Sequence, residues 1–192
     1  MEASDYKLSA KSFMDITSSL FFSEEALNAY IHLLGTTLET NKLVLDTITT
    51  SMILANVLNP ERVREILHTK SVHLNNYQTV VFPVVDISEN GSVQLIVADI
   101  RARSLKVVRS EISQLGDRPA EQITSLLSYF VTGESSEAPE WAVNETVIAN
   151  KEDSSCILKL SDLIKESLGL ELAPTQKESL VKSILFGELL RD

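Results

Sequence analysis

The sequence predicts an α+β fold in which an antiparallel sheet is flanked by helices. Apolar residues recur at helical spacing through the first third of the chain and again beyond Gly116. Between these helical regions lie three β-branched segments, at residues 79–87, 92–100 and 104–109. Because the strands are grouped together and do not alternate with helices, the order is that of an α+β protein.

Chain length and composition indicate one folded domain spanning residues 1–192. A chain of 192 residues can bury one large core, whereas two independent cores are disfavoured. Hydrophobic residues at 44% and charged residues at 23% are typical of globular proteins. We expect a helical part at about 1–75, the sheet at about 79–110, and C-terminal helices at about 119–192.

The net charge argues against nucleic acid and membrane partners. Seventeen Lys and Arg against 27 Asp and Glu give a formal charge of -10, which repels phosphate backbones and anionic lipids. A local basic stretch falls on an expected turn and strand, and we interpret it as a solvated strand face. It consists of Arg101, Arg103, Lys106 and Arg109.

The single cysteine, Cys156, excludes an intrachain disulfide and suits a reducing compartment. No apolar run reaches the roughly 20 residues of a membrane helix, and the N-terminal residues lack the layout of a signal peptide. We therefore expect a nuclear or cytoplasmic protein. No Cys/His spacing indicates a zinc site, and neither a metal nor another cofactor is expected.

The helical regions carry start and stop signals. Ser23, followed by two acids, opens the first helix. A second helix is expected at about 47–58, and Asn59 caps a third. A fourth follows Gly116. Two further helices are expected near the C-terminus, at about 155–168 and 175–190.

The strand region begins with a hairpin. Residues 79–87 and 92–100 are separated by Ser-Glu-Asn-Gly, whose Asn-Gly pair is typical of a tight turn. Residues 104–109 follow a short turn and extend the antiparallel meander. Pro83 lacks the backbone donor that a central ladder needs, so the first strand is expected to be an edge or to carry a bulge there. A short additional strand is predicted at 145–149.

Phe22-Ser23-Glu24-Glu25 opens the first predicted helix, and Val81-Phe82-Pro83-Val84 is a Pro-containing strand phrase. In place and order these phrases resemble the ubiquitin-like-protein-specific cysteine proteases, the SUMO and related deconjugating enzymes with an adenain-like fold, which open the helix with Trp-Leu-x-Asp. Residues 92–99 fall in register with the strand that begins with the catalytic His, which places Ser92 at the His position. The resemblance implies a papain-like, adenain-like architecture.

Two further phrases correspond to the rest of the family's catalytic triad. Where the family ends the next strand in Tyr-x-Asp-Ser, this chain has Val107-Val108-Arg109-Ser110, and Ser110 is taken as the degenerate orienting position. The nucleophile phrase Gln-x-Asn-x-x-Asp-Cys-Gly resembles residues 150–157. There Cys156 matches the nucleophile, Asn150 stands in place of the oxyanion-hole Gln, and Ile157 replaces the Gly.

These departures remove the catalytic chemistry that the resemblance implies. A thiol with a pKa of about 8.5 is only a few per cent thiolate at neutral pH and needs a neighbouring imidazole. A hydroxyl at Ser92 has no accessible basic form, and Ser110 cannot stabilise an imidazolium. We interpret Cys156 as a small buried hydrophobe at a helix start, and Asn150 as a lone donor that makes no catalyst.

The three histidines do not supply the missing base. His32 is expected on the surface of the first helix. His68 ends the third helix, where a cation suits the helix dipole. His73 is the least unfavourable candidate for a displaced base.

The leading hypothesis is a catalytically inactive relative of these proteases that acts as a protein-binding scaffold within a larger complex. Its partner would be a ubiquitin-like modifier or a helical subunit, bound at the old modifier face or at an apolar stripe of the last helix. The stripe consists of Leu180, Ile184, Leu185, Leu189 and Leu190. The alternative for this stripe is packing on the core.

Three alternative functions stay open. One is an active deconjugating cysteine protease with a rearranged triad of Cys156, Asn150 and His73. Another is a SUMO-interacting motif at residues 80–87, against which an ordinary core strand is favoured. The last is an α+β subunit of a larger assembly whose family resemblance is accidental.

Overall fold

The computed structural model describes seven stretches of the chain: residues 24–37, 40–86, 92–110, 116–132, 140–148, 163–164 and 167–169. The helices are α1 (Glu24–Thr37), α2 (Thr47–Ala55), α3 (Pro60–Thr69) and α4 (Arg118–Thr132), with a 3-10 turn at Leu74–Asn76. The strands are β1 (Lys42–Val44), β2 (Thr79–Asp86), β3 (Ser92–Asp99), β4 (Ser104–Ser110) and β5 (Ala142–Ile148).

The five strands form one sheet in the order β1-β2-β3-β4-β5. The central three form the predicted antiparallel meander, and the α+β class is confirmed. The sheet is mixed, however, because β1 pairs with β2 and β5 with β4 in parallel. Each parallel pair is joined through helices, α2 and α3 in the first case and α4 in the second, as parallel neighbours require a long crossover connection.

The environment of Pro83 matches the predicted edge. β1 pairs only with residues 79–81 of β2, so at Pro83 no described strand lies on that side. The register between β2 and β3 runs without a break from Thr79↔Asp99 to Asp86↔Ser92, which excludes a bulge. The missing backbone donor of Pro83 therefore does not interrupt the β2–β3 ladder.

The main core lies between the sheet and the helices α2, α3 and α4. Phe82 and Ile96 are fully buried from the sheet side, and Ile53, Val63 and Ile123 meet them from the three helices. The alternate strand residues are also buried, so both faces of the central strands are covered. These include Val81, Leu95 and Val108.

The helix boundaries follow local capping chemistry. The Asn59 side chain accepts a hydrogen bond from the Arg62 backbone N–H at 3.2 Å, which confirms the predicted cap of α3. Asp46 caps α2 by accepting from the Thr49 backbone N–H at 2.6 Å. Of the C-terminal helices, the described part shows Gly169 at φ +69, in agreement with a helix that ends there.

β2 is an ordinary core strand. Val80, Val81 and Phe82 have no exposed surface, and β2 is paired with β3 along its whole length. A segment that adds to another protein's sheet needs a free edge and accessible side chains. The burial of residues 80–84 therefore favours the ordinary core strand over a SUMO-interacting motif at residues 80–87, as expected.

The predicted basic stretch divides into two kinds of residue. Arg101, Arg103 and Lys106 are exposed, as expected for a solvated turn and strand face. Arg109 is different, because its side chain is only 26% exposed and is ion-paired. None of the described helices has the length and apolar character needed to cross a membrane.

Candidate functional site at one end of the sheet

The topology brings the degenerate triad positions to one end of the sheet. Ser92 begins β3 and Ser110 ends β4, and these two strands are antiparallel neighbours, so both positions lie at the same end. β5 runs parallel to β4 and ends at Ile148, opposite Ser110.

The strand register determines which residue of β4 shares the face of position 92. Gln94 of β3 is paired with Arg109 of β4, and paired residues lie on the same face of a sheet. Because alternate residues lie on opposite faces, position 92 shares the face of Gln94 and Arg109, whereas position 110 falls on the other face. Arg109, and not Ser110, therefore shares the face of position 92. The assignment of Ser110 to the orienting position stays a prediction.

Arg109 is held in place by two carboxylates from different elements. Its Nη1 lies 3.1 Å from Oδ1 of Asp117, the residue before α4, and its Nη2 lies 3.0 Å from Oε2 of Glu145 on β5. The Arg109 guanidinium thus joins the end of β4 to the start of α4 and to β5. We refer to Ser92, Gln94, Arg109, Asp117 and Glu145 as the sheet-end site.

Gln94 is the buried polar residue of this site. Its side chain is fully buried, and its Nε2 donates a long 3.4 Å hydrogen bond to the backbone carbonyl of Gly116. Gly116 adopts φ +58, the left-handed region that glycine enters without strain, as the chain turns into α4. Oε1 of Gln94 has no hydrogen-bond partner within the described residues.

The described charges of the sheet-end site are paired with one another. Arginine is a donor without an acceptor and stays protonated, so Arg109 can neither accept an imidazole N–H nor stabilise an imidazolium. Asp117 and Glu145 do supply carboxylates, but both are bound to Arg109. The described charged groups of this site therefore form one paired network of a guanidinium and two carboxylates.

Several predicted residues lie outside the described part of the chain. These are Asn150, Cys156 and the apolar stripe of Leu180, Ile184, Leu185, Leu189 and Leu190. Their roles stay predictions. One sequence signal pointed to position 109. When the Tyr-x-Asp-Ser phrase is aligned with residues 107–110, its Asp falls at position 109, where this chain has Arg.

The histidines are distant from the sheet-end site or on the surface. His32 is exposed on α1, as expected. His73 precedes the start of β2, while Ser92 pairs with Asp86 at the other end of that strand, whose eight residues span about 23 Å at the usual rise. Among the described residues, no group of three or more His, Cys, Asp or Glu could hold a metal ion.

Comparisons of the sequence with known proteins found no match. No protein-family model matches the chain. No curated protein matches it either.

Solved structures do match over nearly the whole chain. SUMO protease Ulp1 with its catalytic cysteine oxidised to a sulfonic acid has a TM-score of 0.74 at 8% identity, covering 97% of this chain and 88% of that one. The fold is that of the Ulp1-like SUMO proteases. The C-terminal Ulp1 protease domain in complex with Smt3, the yeast ortholog of SUMO, has a TM-score of 0.70 at 11% identity, covering 98% and 87%.

A bacterial structure extends the same likeness. Xanthomonas campestris effector protein XopD bound to ubiquitin has a TM-score of 0.51 at 12% identity, covering 87% of this chain and 90% of that one. Identities this low establish the shared fold alone. The adenain-like cysteine protease architecture expected from the sequence resemblance is confirmed at that level.

Proposed function

We propose that this protein is a catalytically inactive relative of the ubiquitin-like-protein proteases that acts as a protein-binding scaffold within a larger complex. The observation that carries the proposal is Arg109. It occupies the face of the sheet that position 92 shares, and two carboxylates hold it there at 3.0 and 3.1 Å.

The charge at this position is opposite to what a thiol–imidazole pair needs. In a Cys–His site the imidazole becomes a cation when it removes the thiol proton, and a carboxylate stabilises that cation. A guanidinium on the same face as position 92 opposes the same cation. Ser92 offers a hydroxyl that is not basic at neutral pH, so both positions disfavour catalysis for independent reasons.

The competing function, an active protease with Cys156, Asn150 and His73, lacks support from the position of its base. Proton transfer requires a base within hydrogen-bond reach, about 2.6–3.2 Å, of the thiol or of a bridging water. His73 lies beyond the opposite end of β2. Position 92, at which this family carries its catalytic His, pairs with the last residue of β2, Asp86.

A ubiquitin-like modifier is the partner we propose first. The Ulp1 domain was solved in complex with Smt3, and XopD was solved bound to ubiquitin. A chain with the same fold has the framework for a similar protein contact. A nuclear or cytoplasmic location and a helical subunit as second partner belong to the same proposal, and a net charge of -10 supports a protein partner over nucleic acid.

The test separates binding from catalysis. Purified wild-type protein and a Cys156→Ala variant are incubated with ubiquitin and SUMO probes that carry a C-terminal electrophile, and covalent adducts are measured by intact mass. Binding of the unmodified modifiers is measured in parallel by calorimetry. We expect no adduct with either protein and equal modifier binding by both.

An adduct that forms with the wild type and disappears in Cys156→Ala would overturn the assignment as an inactive relative. Absence of adducts together with absence of modifier binding would keep the inactive assignment and reject the modifier as partner. The helical subunit then becomes the candidate, and Leu185→Glu in the apolar stripe tests it by loss of the co-purifying partner.

A further inference from the structure

A cavity lies at the end of the sheet away from the sheet-end site. It has a volume of about 290 Å³ and is formed by the last turns of α3 and α4 and the 3-10 turn at Leu74–Asn76. Phe130 of α4 borders it, twelve residues after the start of that helix at Arg118, or about 18 Å along the helix axis. The cavity is therefore separate from the residues discussed above.

Two imidazoles and a guanidinium line this cavity. His68 and His73 lie edge to face with their ring centroids 6.5 Å apart, and Arg64 stands one helical turn before His68 on α3. The whole chain has three histidines and a net charge of -10. Two of the three histidines thus converge with an arginine on one small cavity of an otherwise acidic protein.

Arg64 is held in a defined position. Its Nη1 bonds to both carboxylate oxygens of Glu61 at 2.6 Å, and its guanidinium carbon lies 6.0 Å from the ring centroid of Tyr129 and 5.8 Å from that of Phe130. The hydrogen bond and charge of Glu61 raise the pKa of Arg64 above its ordinary value. A guanidinium has five N–H donors, so Nη1 can hold Glu61 while the remaining nitrogens face other acceptors.

The floor of the cavity is apolar. Leu67 and Leu74 are almost completely buried and belong to the main core, and the half-buried ring of Phe130 packs against the same core. The polar groups of the cavity lie at its exposed side, since Arg64, His68 and His73 are exposed residues. The cavity therefore pairs donor groups at its mouth with a hydrocarbon surface beneath them.

A left-handed serine builds the turn that brings the two histidines together. Ser71 adopts φ +55, and its backbone N–H donates to the carbonyl of His68 at 2.9 Å, while Val72 N–H donates to Leu67 at 2.9 Å. A non-glycine residue in this region costs about 1 kcal/mol or more. The turn reverses the chain after α3 and places His73 beside His68.

We propose that this cavity, the imidazole cavity, binds a carboxylate that is attached to an apolar body. Imidazole and guanidinium N–H groups are the donors that a carboxylate prefers, and the apolar floor accommodates the body. Glu61 already occupies one nitrogen of Arg64, so the two imidazoles supply part of the donors. A volume of about 290 Å³ is at the small end of ligand pockets. It fits the C-terminal residue of a peptide or a small organic acid.

The chain offers an internal readout for this binding. Its three histidine rings give separate NMR signals, and His32 on α1 is the reference that the ligand should not affect. The full chain is titrated with acetyl-Ala-Leu as the free acid, with the corresponding C-terminal amide, and with phenylacetate. We expect ring shifts of His68 and His73 with the acids, weaker shifts with the amide, and none at His32.

Arg62 provides the matched control for Arg64. Both arginines lie on α3, both pair at 2.6 Å with a glutamate one turn away, and their side chains are equally exposed at 56% and 55%. Arg64→Gln should weaken acid binding about tenfold or more, as expected for loss of a charge-assisted hydrogen bond, whereas Arg62→Gln should leave it unchanged. Tighter binding of acetyl-Ala-Leu than of phenylacetate identifies a peptide C-terminus, and the reverse identifies a small acid.

Three results would overturn the proposal. They are the absence of His68 and His73 shifts with every probe, equal binding of the acid and the amide, and equal losses in the two arginine variants. None of these results tests whether Cys156 is reactive. The imidazole cavity and the assignment as an inactive relative are therefore tested independently.

Discussion

Replacing Arg109 with Gln removes the charge that joins three elements at the sheet-end site. Its two ion pairs reach Asp117 before α4 and Glu145 on β5, and the Arg109 side chain is 26% exposed. Arg62 again serves as a comparison, because its single pair with Glu65 is 56% and 64% exposed. The two substitutions delete the same charge from a shielded and from a solvated environment.

The geometry gives the size of the difference. An exposed ion pair contributes about 0.2–1 kcal/mol, and helix pairs of the Arg62 kind contribute about 0.3–0.5 kcal/mol. Arg109 makes two pairs in a partly shielded position, and its loss leaves Asp117 and Glu145 without their cation. We expect Arg109→Gln to lower the free energy of unfolding by about 1–2 kcal/mol, and Arg62→Gln by about 0.3 kcal/mol. For a chain of this size the former lowers Tm by about 2–8 °C.

Urea denaturation followed by circular dichroism measures both variants at low and high salt. The destabilisation by Arg109→Gln should shrink at high salt, since salt screens the exposed part of each pair. A double-mutant cycle of Arg109→Gln with Glu145→Gln should show a coupling energy above the error of the measurement. Equal destabilisation by Arg109→Gln and Arg62→Gln, with no coupling in the cycle, would refute the structural role of Arg109.

The remaining predictions concern packing, turn strain and thiol chemistry. Phe82→Ala should lower the free energy of unfolding by about 3–5 kcal/mol, because Phe82 is fully buried. Leu58→Ala, at a residue that is 96% exposed, should change it by less than about 0.5 kcal/mol in the same urea experiment. Ser71→Gly should raise it by about 0.5–1 kcal/mol by relieving the left-handed backbone, and a decrease would show that this turn is unstrained. If the family site survives in outline, Ser92→His with Arg109→Asp should raise the alkylation rate of the single thiol at pH 7 about tenfold, because an imidazolium converts a minor thiolate fraction into a major one. An unchanged rate would place the thiol beyond the reach of position 92.

The central meander was predictable because its signals are local. Three β-branched segments and an Asn-Gly turn fix β2, β3 and β4 without reference to the rest of the chain. The capping side chain of Asn59 is equally local. The edge strands of the sheet lack such local sequence signals. β1 has three residues, too few for a recognisable period, and it forms only where β2 gives it a parallel partner.

β5 shows the same dependence on tertiary pairing. Its β-branched residues predicted a strand at 145–149, but the strand begins at Ala142, where the backbone N–H donates to the carbonyl of Arg103 at 3.0 Å. From there the register with β4 runs from Ser104↔Ala142 to Ser110↔Ile148. Residues 142–144 of β5 thus adopt strand conformation because β4 supplies their hydrogen-bond partners, and their own β-propensity does not determine it.

The choice between Ser110 and Arg109 depends on strand pairing in a similar way. Which residue of β4 shares a face with position 92 depends on the register between β3 and β4, and that register is set by the turn between them. In this turn Ala102 N–H donates to Oδ1 of Asp99 at 2.8 Å, and Arg103 adopts φ +51. A one-residue change in this turn would exchange the faces of Arg109 and Ser110. The register is therefore what determines which of the two residues shares the face of position 92.

The two ends of the sheet differ in how their charged and polar groups are paired, and the proposal of a binding protein rests on that difference. A hydrolytic site requires acid and base groups whose surroundings push their pKa values apart. Such an arrangement generally lowers the stability of the folded protein. At the sheet-end site the described charges instead satisfy one another, with one guanidinium between two carboxylates from separate elements. The imidazoles that could transfer protons lie at the opposite end, beside a cavity with an apolar floor. Charges that would serve chemistry in a protease therefore stabilise the fold at one end, while the groups able to recognise an anionic ligand are concentrated at the other.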